Sequence, residues 1–99
     1  MYFIILAEDK ADSLPLRMDI RPAHLDYAEA QGCVVLAGPL LSEGDDPKPQ
    51  GSLLIIDVAD RAAAMGFAQN DPYAVAGLFA RVEINSWMPA LGPWKPDGV

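Results

Sequence analysis

His24 is the only histidine in the chain, and imidazole is the side chain that most readily exchanges a proton near neutral pH. At the mouth of a pocket it can serve as general acid or base; its plainer role is a half-buried ring satisfied by a neighbour. Asp71 precedes Pro72, the usual N-cap and first residue of a helix. Both roles are compatible for such a carboxylate. One oxygen can cap the helix while the other meets an imidazole, fixing its tautomer and stabilising its cation.

Other side chains can support that chemistry. Arg21 stands three residues before His24, one helical turn away. A guanidinium there can hold a carboxylate or phenolate oxygen of a ligand, or simply face water. Ser52 follows Gly51 at the entry to an apolar stretch, where its hydroxyl either reaches a ligand or shapes a turn. Tyr27, Tyr73 and Trp87 can wall a pocket, and serve equally well as core or interface aromatics.

Composition narrows the remaining classes. Cys33 is the single cysteine, which excludes an internal disulfide and points to a reducing compartment, the cytoplasm. It opens an apolar run with no basic neighbour, and reads as an inert buried thiol. One His and one Cys without paired spacing make no zinc motif, and Asp45-Asp46 is far from a calcium loop. The chain has no GxGxxG, P-loop or GxSxG motif. The expectation is therefore no metal, no nucleotide cofactor and no serine hydrolysis. Net charge is −7, from 14 acids against 7 bases. That balance opposes nucleic-acid binding and anionic membrane surfaces. No apolar run approaches the ~20 residues of a membrane span, and the N-terminus has no basic region of the signal-peptide kind.

The elements that must position these residues follow from pattern. The chain has 99 residues, the size of a single domain. Residues 2–7 are a continuous apolar run, suited to a buried strand. Asp12 or Ser13 caps a helix with Pro15 in its first turn. It runs to Gln31 with a kink or break at Pro22, presents Leu25 and Ala28 to the core, and stops at Gly32. Residues 33–38 form a second strand limited by Pro39. Residues 42–50 form an exposed polar loop, and 52–58 a third strand. Asp60 caps a helix through Gln69, and a short turn or helix follows Asn70-Asp71-Pro72. Residues 78–87 alternate, with Ala80, Val82, Ile84 and Ser86 on one face and Arg81, Glu83 and Asn85 on the other.

The order β-α-β-β-α-β is the ferredoxin-like split βαβ. It gives an α+β fold, a four-stranded antiparallel sheet with both helices on one face. The second face must be hidden, and two sheets packed face to face, a dimeric α/β barrel, would do so. With 52% hydrophobic residues in so short a chain, a homodimer or higher homo-oligomer is expected. The core spans 1–87; residues 88–99 form a proline-rich tail that docks on the domain or a partner subunit.

Three stretches carry a resemblance: Ala11 to Leu25, Ala37-Gly38-Pro39-Leu40 with Gly51-Ser52, and Asp71 to Phe79. Together they resemble the YciI-like (YCII) family. The resemblance implies a ferredoxin-like dimer with a pocket by the sheet and an active-site pair mapping onto His24 and Asp71. One branch of that family is similar to cofactor-free dehydrochlorinases acting on hydroxylated aromatic rings. The tail after Trp87 departs from its shortest members. The resulting expectation is a small cofactor-independent enzyme. His24 and Asp71 would perform elimination, isomerisation or dehydrochlorination on a small polar or aromatic substrate held by Arg21, Ser52 and Tyr73. The alternative is a non-catalytic small-ligand-binding or assembly module.

Overall fold

The computed structural model describes residues 1–97. Strand β1 (Tyr2–Asp9) is followed by helix α1 (Leu14–Gln31), strands β2 (Val34–Leu41) and β3 (Pro49–Asp57), helices α2 (Arg61–Asn70) and α3 (Pro72–Val75), and strand β4 (Phe79–Trp87). The sheet order is β2-β3-β1-β4, and every adjacent pair is antiparallel. This is the ferredoxin-like α+β arrangement.

Strand pleating divides the residues between two faces. Phe3 and Ile5 of β1 meet Leu54 and Ile56 of β3, and with Ala64, Phe67 and Ala68 of α2 they form the core. Ala7 and Ser52 extend the same buried rows and lie opposite each other. The alternate rows pair Ile4 with Ile55 and Leu6 with Leu53. Leu36 beside Ile55 continues this second apolar surface, which lies on the side of the sheet away from the core that α2 covers.

The local chemistry explains the helix ends. Gly32 adopts φ 69°, the left-handed cap that ends α1. Asp60 caps α2 through its side chain, which accepts from the Ala63 N–H at 2.9 Å. At the start of α1, Ser13 occupies the cap position but its side chain makes no capping bond. Its hydroxyl donates to the Ala11 carbonyl instead.

Several local expectations are corrected. Helix α1 is a single helix through Pro22 rather than two in series; the missing N–H costs one bond, which an otherwise continuous, docked helix tolerates. Leu25 is 45% exposed rather than core-facing, because the buried residues of α1 are Arg17 and His24. Strand β2 continues past Pro39 to Leu41. It is an edge strand, where proline is accommodated. The polar loop is shorter than expected, since β3 begins at Pro49. It is pinned by Ser42, whose N–H bonds the Lys48 carbonyl while its hydroxyl accepts from the Lys48 N–H, both at 2.9 Å.

Gly51 is fixed by close strand approach. A Cβ there would lie 2.5 Å from the Ala7 carbonyl oxygen and 3.0 Å from a Leu40 methyl. The methyl can rotate away; the backbone oxygen cannot. Gly51→Ala should therefore lower stability by about 1–3 kcal/mol, as overpacking does, read as a fall in the urea midpoint at unchanged slope. An unchanged midpoint would show that β1 and β3 separate there without strain.

Candidate active site

Helix α1 carries two polar residues on its buried stripe, seven positions apart. Seven residues are nearly two full turns, so Arg17 and His24 project in almost the same direction. Each must find partners inside the fold, since an unpaired buried polar group is costly.

His24 finds Asp71. The imidazole Nδ1 lies 2.8 Å from one carboxylate oxygen of Asp71 and 3.0 Å from the other. The histidine is 8% exposed and the aspartate 3%. A carboxylate only accepts, so Nδ1 carries the hydrogen and Nε2 keeps its lone pair when the ring is neutral. Nε2 makes no hydrogen bond among the described residues. Nor do those residues include a buried side-chain nitrogen or oxygen lacking a partner, so Nε2 reaches the surface. The Tyr73 ring stacks on the imidazole at 4.0 Å between centroids and 18° between planes, which limits rotation of the ring.

Asp71 is placed by the break between α2 and α3, with backbone φ −58° and ψ 129°. Its Oδ1 accepts from the Tyr73 N–H at 2.9 Å. The same oxygen that caps α3 is the nearer one to the imidazole. The cap thus aims the carboxylate at His24.

Arg17 organises the second half of the site. Its Nε donates to Asp9 at 2.7 Å, and its Nη2 to the Gly51 carbonyl at 2.6 Å and the Ser52 hydroxyl at 2.5 Å. Nη1 reaches the Tyr73 hydroxyl at 3.4 Å, and the guanidinium carbon lies 4.7 Å from the Tyr73 ring centre. Burial raises the Tyr73 phenol above its ordinary 10.0; Arg17 and Arg21 pull it down, while Asp71 and Asp9 push it up. Tyr73 is therefore a neutral hydroxyl at physiological pH.

Arg21 is exposed and makes no hydrogen bond among the described residues. Its charge still acts on Tyr73, but Arg17 occupies the buried position that touches Ser52 and Tyr73. Sequence reasoning missed Arg17 and Asp9. The signal was present: Arg17 stands seven residues before His24, on its stripe, whereas Arg21 is offset by roughly 60° around the helix. Asp9 ends the alternation Phe3, Ile5, Ala7 that faces the helices.

An open cavity of about 480 Å³ adjoins this network, walled in part by Ala7, Asp9, Ser13, Leu14 and Leu40. It meets the site at Asp9, and His24 is not on its wall. The described residues hold no group of three or more His, Cys, Asp or Glu side chains that could bind a metal. Cys33 is a free, half-buried thiol that burial pushes above its ordinary range.

The Arg17–Asp9 pair is buried, with both side chains 5% exposed. Arg17→Met leaves Asp9 as an unpaired buried charge and should cost about 3–5 kcal/mol. The double variant Arg17→Met/Asp9→Leu removes both charges and should regain much of that loss. Chemical denaturation of the three proteins checks it: equal stability of the single and double variants would show that the ion pair carries no coupling.

Comparison with known proteins agrees with this architecture. The YCII-related domain matches residues 1–88. The chain is 36% identical over 91 residues to Protein YciI of Escherichia coli, covering 85% of this chain and 93% of that protein. It is 32% identical over 89 residues to an uncharacterised protein of Haemophilus influenzae, covering 83% of this chain and 91% of that one. Among solved structures, it superposes on 5-chloro-2-hydroxyhydroquinone dehydrochlorinase (TftG) from Burkholderia phenoliruptrix, in complex with 2,5-dihydroxybenzoquinone. The TM-score is 0.84 at 33% identity, covering 91% of this chain and 96% of that one. With the domain model matching residues 1–88 and relatives above 30% identity sharing its extent, the chain belongs to the YCII-related domain family.

Proposed function

We propose that this protein is a cofactor-independent acid-base catalyst in which His24 Nε2 moves a proton on a small hydroxylated ring. The observation that carries this reading is the 2.8 Å contact between His24 Nδ1 and Asp71. It gives the imidazole a held tautomer, a counter-charge and an outward-facing lone pair, the features of a general base. The dehydrochlorinase function of the structural neighbour supports a halogenated, hydroxylated ring as the substrate class.

The chemistry balances without an external electron acceptor. A proton moves from a ring hydroxyl to the chlorine-bearing carbon, giving the keto form. A second hydroxyl proton is then removed, and chloride leaves with the carbon–chlorine bonding pair. The products are a quinone, a proton and chloride. One imidazole can take and return the first proton and take the second. Asp71 stabilises the imidazolium each time it forms. Ser52, Tyr73 and Arg17 supply hydroxyl and guanidinium groups that can orient ring oxygens, and Arg21 an exposed cation near them.

The test is chloride release from 5-chloro-2-hydroxyhydroquinone. His24→Asn and Asp71→Asn should each lower kcat by about 10²–10⁴-fold with the far-ultraviolet dichroism unchanged. Full turnover in folded His24→Asn would remove the imidazole from the mechanism. One observation favours a second reading, a non-catalytic ligand-binding module: the cavity reaches Asp9 rather than the imidazole. That reading expects the wild type to bind the ring without releasing chloride.

We also infer a homodimer built on the open sheet face, supported by the rows Ile4, Leu6, Leu53 and Ile55, apolar residues left half-buried on the side of the sheet away from the core. Leu6→Glu should convert it to monomer in light scattering. A monomeric wild type at micromolar concentration would refute the dimer and leave the His24 reading intact.

A further inference from the structure

Arg17 takes up the acceptors around it and leaves donors behind. A guanidinium only donates, whereas a hydroxyl both accepts and donates. Nε and Nη2 of Arg17 donate to Asp9, the Gly51 carbonyl and the Ser52 hydroxyl, and Nη1 donates to the Tyr73 hydroxyl. Each of the two hydroxyl oxygens thus receives a hydrogen and keeps its own hydrogen to give. Neither hydroxyl hydrogen meets an acceptor among the described residues. Nη1 has a second hydrogen, which also meets none there. Ser52 and Arg17 are each 4% exposed and Tyr73 1%, and buried donors left without an acceptor are rare in folded proteins.

We propose that the Tyr73 and Ser52 hydroxyls and Arg17 Nη1 form an oxyanion pocket that holds one oxygen of the substrate ring as a phenolate or carbonyl. The unspent capacity is three hydrogens, which suits a group that accepts and has nothing to donate. The local field has the matching sign. Burial is the largest influence on the Tyr73 phenol and raises it, but the leading charges acting there are the cations Arg17 and Arg21, which lower it. Reach fits as well. The Tyr73 ring centre lies 4.0 Å from the imidazole centre and 4.7 Å from the guanidinium carbon. His24 and the pocket are therefore about one aromatic ring apart, and a dihydroxylated ring is of the size to place one oxygen at each.

The pocket is on the helix side of the sheet. Ser52 shares its row with the buried Leu54 and Ile56, away from the face to which a second copy is assigned. Loss of a proton from one hydroxyl spreads negative charge through the ring to the other oxygen, where donors already in place stabilise it. That catalytic consequence rests on the reading of His24 as the base; the binding of the oxygen does not.

The probe is 4-nitrophenol, whose absorbance reports its ionisation, compared with 4-nitrotoluene, in which a methyl replaces the hydroxyl. Equilibrium dialysis against the full chain should show saturable binding that favours the phenol by about tenfold or more. The bound phenol should ionise at a lower pH than the free one. Ser52→Ala removes one donor; Tyr73→Phe removes another and keeps the ring against the imidazole. Each should weaken the phenolate by about tenfold, return its ionisation toward that of the free phenol, and leave 4-nitrotoluene unaffected. His24→Asn should keep the preference for the phenol, so failure of chloride release and failure of the pocket are told apart. The proposal is overturned if both hydroxyl variants hold the phenolate as tightly as wild type, the outcome expected when an internal water alone satisfies these donors. It is equally overturned if the wild type binds 4-nitrotoluene as well as 4-nitrophenol.

Discussion

Burying polar groups on a helix that docks against a sheet forces every other part of this site into place. Helix α1 presents Arg17 and His24 inward, where most helices present leucine. Inside a fold such groups are tolerated only when hydrogen-bonded. Arg17 therefore ties β1 through Asp9 and β3 through Gly51 and Ser52, while His24 ties the α2–α3 junction through Asp71. Four elements are thereby fixed relative to one helix by directional bonds. Apolar packing alone would allow α1 to slide or rotate by small amounts; this network does not. The geometry that chemistry would need is thus also the geometry that docks the helix.

Much of this was legible in the residues, and the failures have physical causes. The βαββαβ order follows from apolar runs, caps and breakers. The meeting of His24 and Asp71 rests on 47 residues of intervening chain, a separation that no local pattern bridges; the family motifs supplied it. Arg17 is hidden from a reading by sequence proximity, because helical phase rather than nearness to His24 decides which side chain shares its stripe. Three residues is one turn, but seven return closer to the same direction. Leu25, large and apolar, has the character of a core residue. The helix instead buries its polar stripe and leaves that leucine to water. Pro39 does not stop β2, since an edge strand can carry it.

Asp71 also shows why two readings of one residue need not compete. The Asp-Pro pair starts a helix, and in doing so turns its carboxylate inward onto an imidazole. The Oδ1 atom serves both the Tyr73 N–H and the ring. A site assembled from a capping residue places its charged group with the precision of backbone geometry rather than of a flexible side chain. Tyr73, one residue into that short helix after proline, then lies flat on the imidazole. The half of this polar cluster contributed by the second part of the chain is compressed into three consecutive residues.

The two borders of the sheet bear on how this molecule avoids its own kind. Along β2 lies Pro39, which has no backbone hydrogen to offer an incoming strand; along β4 lie the ion-paired Arg81 and Glu83. Both margins are poor templates for ribbon-like growth. Crowding or partial unfolding should therefore lead these chains to stack through their broad surfaces before they zip edge to edge, keeping them from fibrous precipitation even though half their residues are apolar.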